Sequence, residues 1–400
     1  MSQEVTPDVQ TFARIKVIGC GGSGGNAINH MRESDVEGVE FVAVNTDAQD
    51  LHQSAIENKI HIGKNLTQGL GTGMSPELGK RAAEETKEEI HDAVQDTDMV
   101  FITGGMGGGT GTGAAPVIAE AAREAGALTV AVVTKPFFFE GAQRMEVAEE
   151  GLRNLQKEVD ALIVIPNDRL LQTVDDDTTA EEAFALCDEV LREAVEGISD
   201  LITMPGIVNV DFADIRSVME NAGSALMGIG TGSGDKRAED AATAAINSPL
   251  LDVSIDGAEG VLFAIAGSED LKMNEVQEAA KIITESINED AKVIFGAFKD
   301  DQITKNSVRV TVIATGFPED EVLEGQEDSL FNFSADEIQE ETEEITGSEF
   351  DNAEFNETKT DEEPEFPSND ETNGQEDDRW GGVPAFLRRG EDKDGEESEE

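Results

Sequence analysis

Apolar residues follow two alternating patterns over the first two hundred positions. Short continuous runs at Ile15–Ile18, Phe41–Val44, Met99–Ile102, Leu128–Val133 and Ala161–Ile165 read as buried strands. Between them lie longer stretches such as Pro76–Val94 and Ala114–Glu124, which read as helices. That alternation predicts an α/β fold with a doubly wound, Rossmann-like parallel sheet, which binds ligands at the carboxyl ends of its strands. From Ala180 to Ile202 the apolar positions are Ala183, Cys187, Val190, Leu191, Ala194, Ile198, Leu201 and Ile202. Their three- and four-residue steps put one stripe on a long helix, and Pro205 stops it. A smaller α+β region follows over about 208–316, with strands at Gly260–Ala266, Lys292–Phe295 and Val308–Ala314. Its helices are expected near Asp214–Asn221, Arg237–Asn247 and Asn274–Asn288. Beyond Phe317 the chain turns to Glu, Asp, Asn, Thr and Ser with scattered Phe, too little apolar surface to offset the entropy of ordering. A disordered acidic tail is expected there, and a flexible polar segment over residues 1–14. No apolar run approaches the ~20 residues that cross a bilayer, so direct membrane insertion is not expected.

Two glycine-rich turns sit on this pattern, each after a strand and before a helix. Between Gly104 and Gly113 seven of ten residues are glycine. Glycines let backbone N–H groups approach a ligand closely, and the helix that follows points its positive end at the same spot. The turn is suited to phosphate, but it carries no Lys and so does not fit the P-loop pattern. The other turn places Gly19, Gly21 and Gly24 in the spacing G-x-G-x-x-G. The next strand ends in Asn45-Thr46-Asp47, roughly where the ribose-binding acid of a dinucleotide enzyme sits. Alone, that turn reads as an NAD(P) oxidoreductase. Two phosphate turns on one sheet suit a nucleoside triphosphate held from more than one side.

Composition narrows the setting. Two cysteines in 400 residues make no disulfide scaffold and fit a reducing cytoplasm. Net charge is −57; Pro318 to Glu400 hold 32 acidic and 5 basic residues, so −30 belongs to the preceding 317. A core this acidic repels itself unless salt screens it, which points to a saline cytoplasm, and nucleic acid is excluded as a partner.

The motifs together resemble the FtsZ cell-division GTPases, prokaryotic relatives of tubulin. The resemblance rests on Gly107-Gly108-Gly109-Thr110-Gly111-Thr112-Gly113, Asn45-Thr46-Asp47, Gly69-Leu70-Gly71-Thr72-Gly73, Phe139-Glu140-Gly141, Pro166-Asn167-Asp168 and Asn209-Val210-Asp211-Phe212-Ala213-Asp214. It runs from about Ile15 to Gly316 and resumes at Val383-Pro384-Ala385-Phe386-Leu387. It implies a GTP-binding domain over 15–179, a central helix over 180–203 and a C-terminal activation domain over 204–316. An acidic linker over 317–378, a docking peptide over 379–390 and an acidic end over 391–400 would complete the chain.

The resemblance also assigns roles. Gly21, Gly22, Ser23, Gly24 and Gly25 would cradle phosphate with Gly108, Gly109, Thr110 and Gly111, and Gly71, Thr72 and Gly73 would face the γ-phosphate. Glu140, Arg144 and Asn167 would contact ribose and phosphate, and Asn26, Phe184 and Asp188 would recognise guanine. Asn209, Asp211 and Asp214 would reach the γ-phosphate of the next protomer, polarise water and help hold cations. By residue type alone, Glu140 and Arg144 also read as an i,i+4 surface pair, and the Asn209–Asp214 run as a helix cap. With few lysines near the turns, Mg²⁺ is expected on the phosphates, assisted by K⁺. The function implied is GTP-dependent, head-to-tail polymerisation into filaments at the mid-cell division site beneath the membrane, with membrane tethers and regulators captured by Val383–Arg389. A tubulin-like regulator that binds GTP without hydrolysing it is the other reading within this fold.

Overall fold

The computed structural model describes residues 13–171, 178–251, 255–288, 290–300 and 302–317. The expected flexible start, acidic linker, docking peptide and acidic end lie outside the described residues, except for Phe317 and the end of the polar start. Phe317 itself, the first position of the expected linker, is buried in a cluster with Leu226, Ala238 and Val312.

The strands are β1 (Ile15–Cys20), β2 (Val39–Asn45), β3 (Asn58–His61), β4 (Met99–Gly105), β5 (Leu128–Lys135) and β6 (Ala161–Pro166). In the second half they are β7 (Gly206–Val208), β8 (Gly223–Ser233), β9 (Gly260–Gly267), β10 (Lys292–Lys299) and β11 (Ser307–Thr315). Between them run α1 (Gly21–Glu33), α2 (Ala48–Gln53), α3 (Lys64–Thr67), α4 (Pro76–Glu85), α5 (Lys87–Val94) and α6 (Thr110–Glu124). These are followed by α7 (Ala142–Gln156), α8 (Asn167–Leu171), α9 (Ala180–Thr203), α10 (Phe212–Met219), α11 (Arg237–Ile246) and α12 (Met273–Glu285).

The first six strands are all parallel, in the order β3-β2-β1-β4-β5-β6. The order reverses between β1 and β4, which is where such sheets bind ligands. Both sheet faces are covered. On one, Ala27, Ile28 and Met31 of α1 meet Val190, Leu191, Ala194 and Ile198 of α9; on the other lie Ile90, Val94, Ile118 and Ala122 of α5 and α6.

The second half does not form a detached sheet. Its strands extend the first one through a short parallel pairing of Ala161–Ile163 with Gly223–Ala225. β11 then pairs antiparallel with both β8 and β9.

β8 escapes a reading based on apolar runs because every second residue near its end is glycine. A Cβ on Gly228, Gly230 or Gly232 would fall 2.0–2.2 Å from the carbonyl oxygens of Ala245, Ala241 and Arg237 on α11. The glycine face and the buried alanines Ala238, Ala241, Ala242 and Ala245 allow helix backbone to lie directly on strand backbone. The expected helix over 76–94 is two helices, broken at Thr86, whose side chain donates to Ala82 O (3.2 Å) and accepts from Gly63 N–H (3.3 Å).

The long helix α9 is as expected. Its Thr179 cap accepts from Glu182 N–H (3.3 Å) while Glu182 accepts from Thr179 N–H (2.8 Å), a reciprocal capping box. The apolar stripe is buried from Ala183 to Leu201, but so are Arg192, Glu196 and Asp200. Arg192 pairs with Glu196 and Glu189, while Arg309 of β11 bridges Glu196 (3.4 Å) and Asp300 (2.9 Å).

Candidate functional site

At the carboxyl ends of β1, β4 and β5 opens a cleft of about 520 Å³. That is ample for a nucleotide. Its floor is made by the two glycine turns. The first is already the opening turn of α1, which starts at Gly21, and the second runs into α6, which starts at Thr110 rather than Ala114. Two helix N-termini therefore aim unpaired N–H groups and positive dipole ends at one place, an arrangement that favours an anion.

Three threonines tie the floor together. Thr110 Oγ1 lies 2.6 Å from Thr46 Oγ1 and 3.3 Å from Thr72 Oγ1, joining the loops after β2, before α4 and after β4. Gly105 N–H donates to Ser23 Oγ at 2.5 Å, pinning one glycine turn to the other.

Gly21, Gly22, Ser23, Asn26, Thr72, Gly108, Gly109, Thr110, Gly111, Glu140, Arg144, Asn167, Phe184 and Asp188 all line the cleft. Gly24, Gly25, Gly71 and Gly73 do not. Gly24 is packed so closely that a Cβ would meet Thr103 O at 2.5 Å, and Gly25 lies near Asp50 behind the turn. Gly71 and Gly73 are left-handed (φ +81° and +58°) and carry Thr72 between them to the wall. Gly113 is a packing residue: its Cβ would stand 2.0 Å from Pro76 O of α4. The glycine-rich turn thus divides its work, with Gly108 open to the cleft and Gly113 holding two helices together.

The side walls carry the polar chemistry. Glu140 and Arg144 form an ion pair, and Glu140 also accepts from Phe137 N–H at 3.0 Å. Arg144 Nε and Asn167 Oδ1 are buried without a hydrogen-bond partner. Such atoms on a cleft wall mark where a polar ligand completes the bonding. Phe184 stands about half exposed, held edge-on by Phe137 at 5.3 Å between ring centroids. Next to it, burial pushes the Asp188 carboxyl up to about 6, while the His30 charge pulls it down. Sequence reasoning missed Met74, Met106 and Pro136 on this wall, because apolar side chains in loops carry no motif, and it read Leu191 only as part of the buried stripe of α9.

Asp47, the residue nearest a dinucleotide enzyme's ribose acid, is committed elsewhere. Its carboxylate caps α2, accepting from Gln49 N–H (2.8 Å) and Asp50 N–H (3.2 Å).

Asn209, Asp211 and Asp214 are exposed and lie away from the cleft. Asp211 caps α10 by accepting from Ala213 N–H (3.2 Å), and Asn209 accepts from Gly206 N–H (2.7 Å). One turn on, Arg216 of α10 donates to Asp98 O (3.4 Å) and Gly126 O (3.5 Å), just before β4 and β5 begin. The aspartates therefore sit at the amino ends of strands whose carboxyl ends hold the cleft. The seven residues of β4 separate the two by roughly 23 Å. One chain cannot bring them together.

Comparison with known proteins agrees with this fold. A model of the tubulin/FtsZ family GTPase domain matches residues 14–175, and one of the FtsZ family C-terminal domain matches residues 223–318. An empty FtsZ dimer from M. jannaschii is similar at 50% identity over 77% of this chain and 89% of its own, with a TM-score of 0.74. A GTPγS-bound protofilament of CetZ2 from Haloferax volcanii shares the fold at 22% identity, over 82% of this chain and 99% of its own, with a TM-score of 0.65. The matched residues hold the two glycine turns at the sheet's switch point and the second half joined to the same sheet, and the chain belongs to the FtsZ family of the tubulin/FtsZ GTPases.

Proposed function

We propose that the chain is a GTP-hydrolysing cytoskeletal protein that polymerises head-to-tail and hydrolyses GTP only where two protomers meet. The observation that carries this reading is the separation just described: a phosphate-binding cleft at one end of the sheet and an exposed carboxylate pair at the other. A heterologous contact joining those two ends completes a site and, because it does not close on itself, grows a filament. The similar M. jannaschii structure is a dimer, which supports self-association.

In this reading the N–H groups of Gly21, Gly22, Gly108 and Gly109 hold the phosphates, and Thr110 adds a hydroxyl. Arg144 offsets phosphate charge, and Glu140 and Asn167 hold ribose. Phe184 stacks on the base, and the ionised Asp188 accepts from guanine's N1–H and amino group; Asn26 completes the base site. Asp211 and Asp214 of the next protomer orient and polarise the water that attacks the γ-phosphorus, and Asn209 positions them. No trio of His, Cys, Asp or Glu forms a metal cage among the described residues, whereas Mg²⁺ needs only phosphate oxygens, waters and one or two protein oxygens. The cleft's threonine hydroxyls and the neighbour's Asp211 and Asp214 fit that role. When bound, the ion neutralises charge developing on the phosphate oxygens; K⁺ would assist. We assign the protein to the cytoplasmic division ring at mid-cell, with tethers and regulators bound by Val383–Arg389.

Light scattering and sedimentation test the reading: GTP should bring the protein into the pellet, and GDP or ATP should not. Protein that pellets equally without nucleotide, or never, contradicts it.

The cysteines give an independent check on the cleft. Cys20 and Cys187 both line it, and burial pushes each thiol up to about 12. Bound GDP should slow their alkylation further. Equal labelling with and without GDP, at matched stability, would place the nucleotide elsewhere.

A further inference from the structure

An acid stands behind the first glycine turn, where its charge works against an anion in the cleft. Asp50 of α2 is half-buried, and a Cβ on Gly22 or Gly25 would lie 3.8 or 3.7 Å from its Oδ2. That same oxygen accepts from Asn45 Nδ2 at 2.6 Å. Asn45 is buried at the end of β2, and its Oδ1 accepts from the N–H groups of Thr46 (2.8 Å) and Asp47 (3.2 Å). Both ends of the amide are engaged: one holds the backbone turn after β2, and the other is held by Asp50. Burial pushes the Asp50 carboxyl up, and the hydrogen bond from Asn45 pulls it back down.

The turn so held is the backing of a second loop. Ala48 N–H donates to Gly69 O at 3.2 Å, and Asp47 pairs with Leu70 in an isolated antiparallel bridge. The loop at 69–73 is therefore anchored at its start on the turn at 45–48. Two residues past that bridge, Thr72 meets Thr110, the hydroxyl that the buried Thr46 meets from the turn itself.

We infer that Asp50 is a positioning residue for the terminal phosphate: through Asn45 it fixes the turn at 45–48, which sets Thr46 and the Thr72 loop against Thr110 and so favours GTP over GDP. The inference rests on the reading of the cleft as the GTP site, with Gly71–Gly73 at the γ-phosphate. Removing Asp50 has two effects of opposite sign. Loss of its charge relieves repulsion of both nucleotides, and GTP, with one more phosphate, gains more. Loss of the acceptor frees Asn45 and loosens the loop behind Thr72, which costs GTP and spares GDP. Substitutions that keep or remove the acceptor separate the two.

The test is the affinity for GMPPCP, a GTP analogue that is not hydrolysed, divided by the affinity for GDP. Both are measured by calorimetry on the nucleotide-free full chain with Mg²⁺, at a protein concentration that gives no light scattering. Asp50→Asn removes the charge and keeps an acceptor for Asn45, so the ratio should stay at or above that of wild type. Asp50→Ala removes both, and the ratio should fall about tenfold, the scale of one hydrogen bond to a charged group. Thr46→Val removes the hydroxyl that meets Thr110 and should lower the ratio too; combined with Asp50→Ala, the two losses should not add. General loosening of the fold would weaken both ligands together and leave the ratio alone. A ratio in Asp50→Ala at or above that of wild type overturns the inference, as does an equal fall in Asp50→Asn, or an unchanged ratio in Thr46→Val. Thr110→Ala separates the two levels: if it binds both nucleotides as wild type does, the reading of the cleft itself fails. If it weakens binding while the Asp50 variants match wild type, only the role of Asp50 is lost.

Discussion

Asp211→Asn should lower GTP turnover at least about 100-fold and leave GTP and GDP affinity unchanged, since in the proposed function the carboxylate acts on a neighbour's nucleotide and general acid–base groups contribute on that scale. Asparagine is the informative substitution. Asp211 caps α10 through its Oδ1, and asparagine caps as well as aspartate does, so the fold is preserved while the charge is lost. Alanine at the same position mixes the chemical loss with about 1 kcal/mol of lost capping. Asp214→Ala carries less of that burden, since its side chain makes no cap bond to α10. Mixing Asp211→Asn with Thr110→Ala should recover part of the turnover, since one variant supplies an intact cleft and the other an intact carboxylate pair. Wild-type turnover by either aspartate variant alone would remove these residues from the chemistry.

The second large effect is on stability. A chain ended at Phe317 should gain on the order of 10 °C in Tm between low and molar KCl, because −30 of net charge lies before Pro318 and salt shortens the range of its repulsion to about 3 Å. The junction of α9 with β11 shows where repulsion concentrates. Glu189, Glu193, Glu196, Asp200 and Asp300 gather there around Arg192 and Arg309, with His30 on Glu189 as well. Burial and the neighbouring acids push Asp200 up to about 7. An acid raised in the folded state costs stability once ionised, so at this position the fold weakens as pH rises from about 4 through 7. A truncated protein whose Tm ignores salt would remove the case for a saline environment.

How far the sequence reaches depends on which force shapes each element. The buried parallel strands and the stripe on α9 were legible because burial imposes a period on the residues themselves. β8 was not, since its glycines serve the backbone of α11, a contact distant in sequence. The same limit blurred the glycine turns: spacing marked both, but it could not tell Gly108, which faces the cleft, from Gly24 and Gly113, which pack helices. Periodicity gives the charges on α9 no reason to be buried; Arg192 on the same helix and Arg309 of β11, which bridges Glu196 and Asp300, supply it. His30 carried no signal at all, because its partner Glu189 lies 159 residues away.

The central claim is that one protomer holds half a site. The most direct measurement is GTPase rate per molecule against protein concentration, at fixed GTP, Mg²⁺ and KCl. The rate should be near zero below a threshold, rise steeply above it and follow polymer mass by light scattering. A rate per molecule that is flat from far below that threshold to far above it would show that a single chain hydrolyses GTP unaided, and would contradict the account.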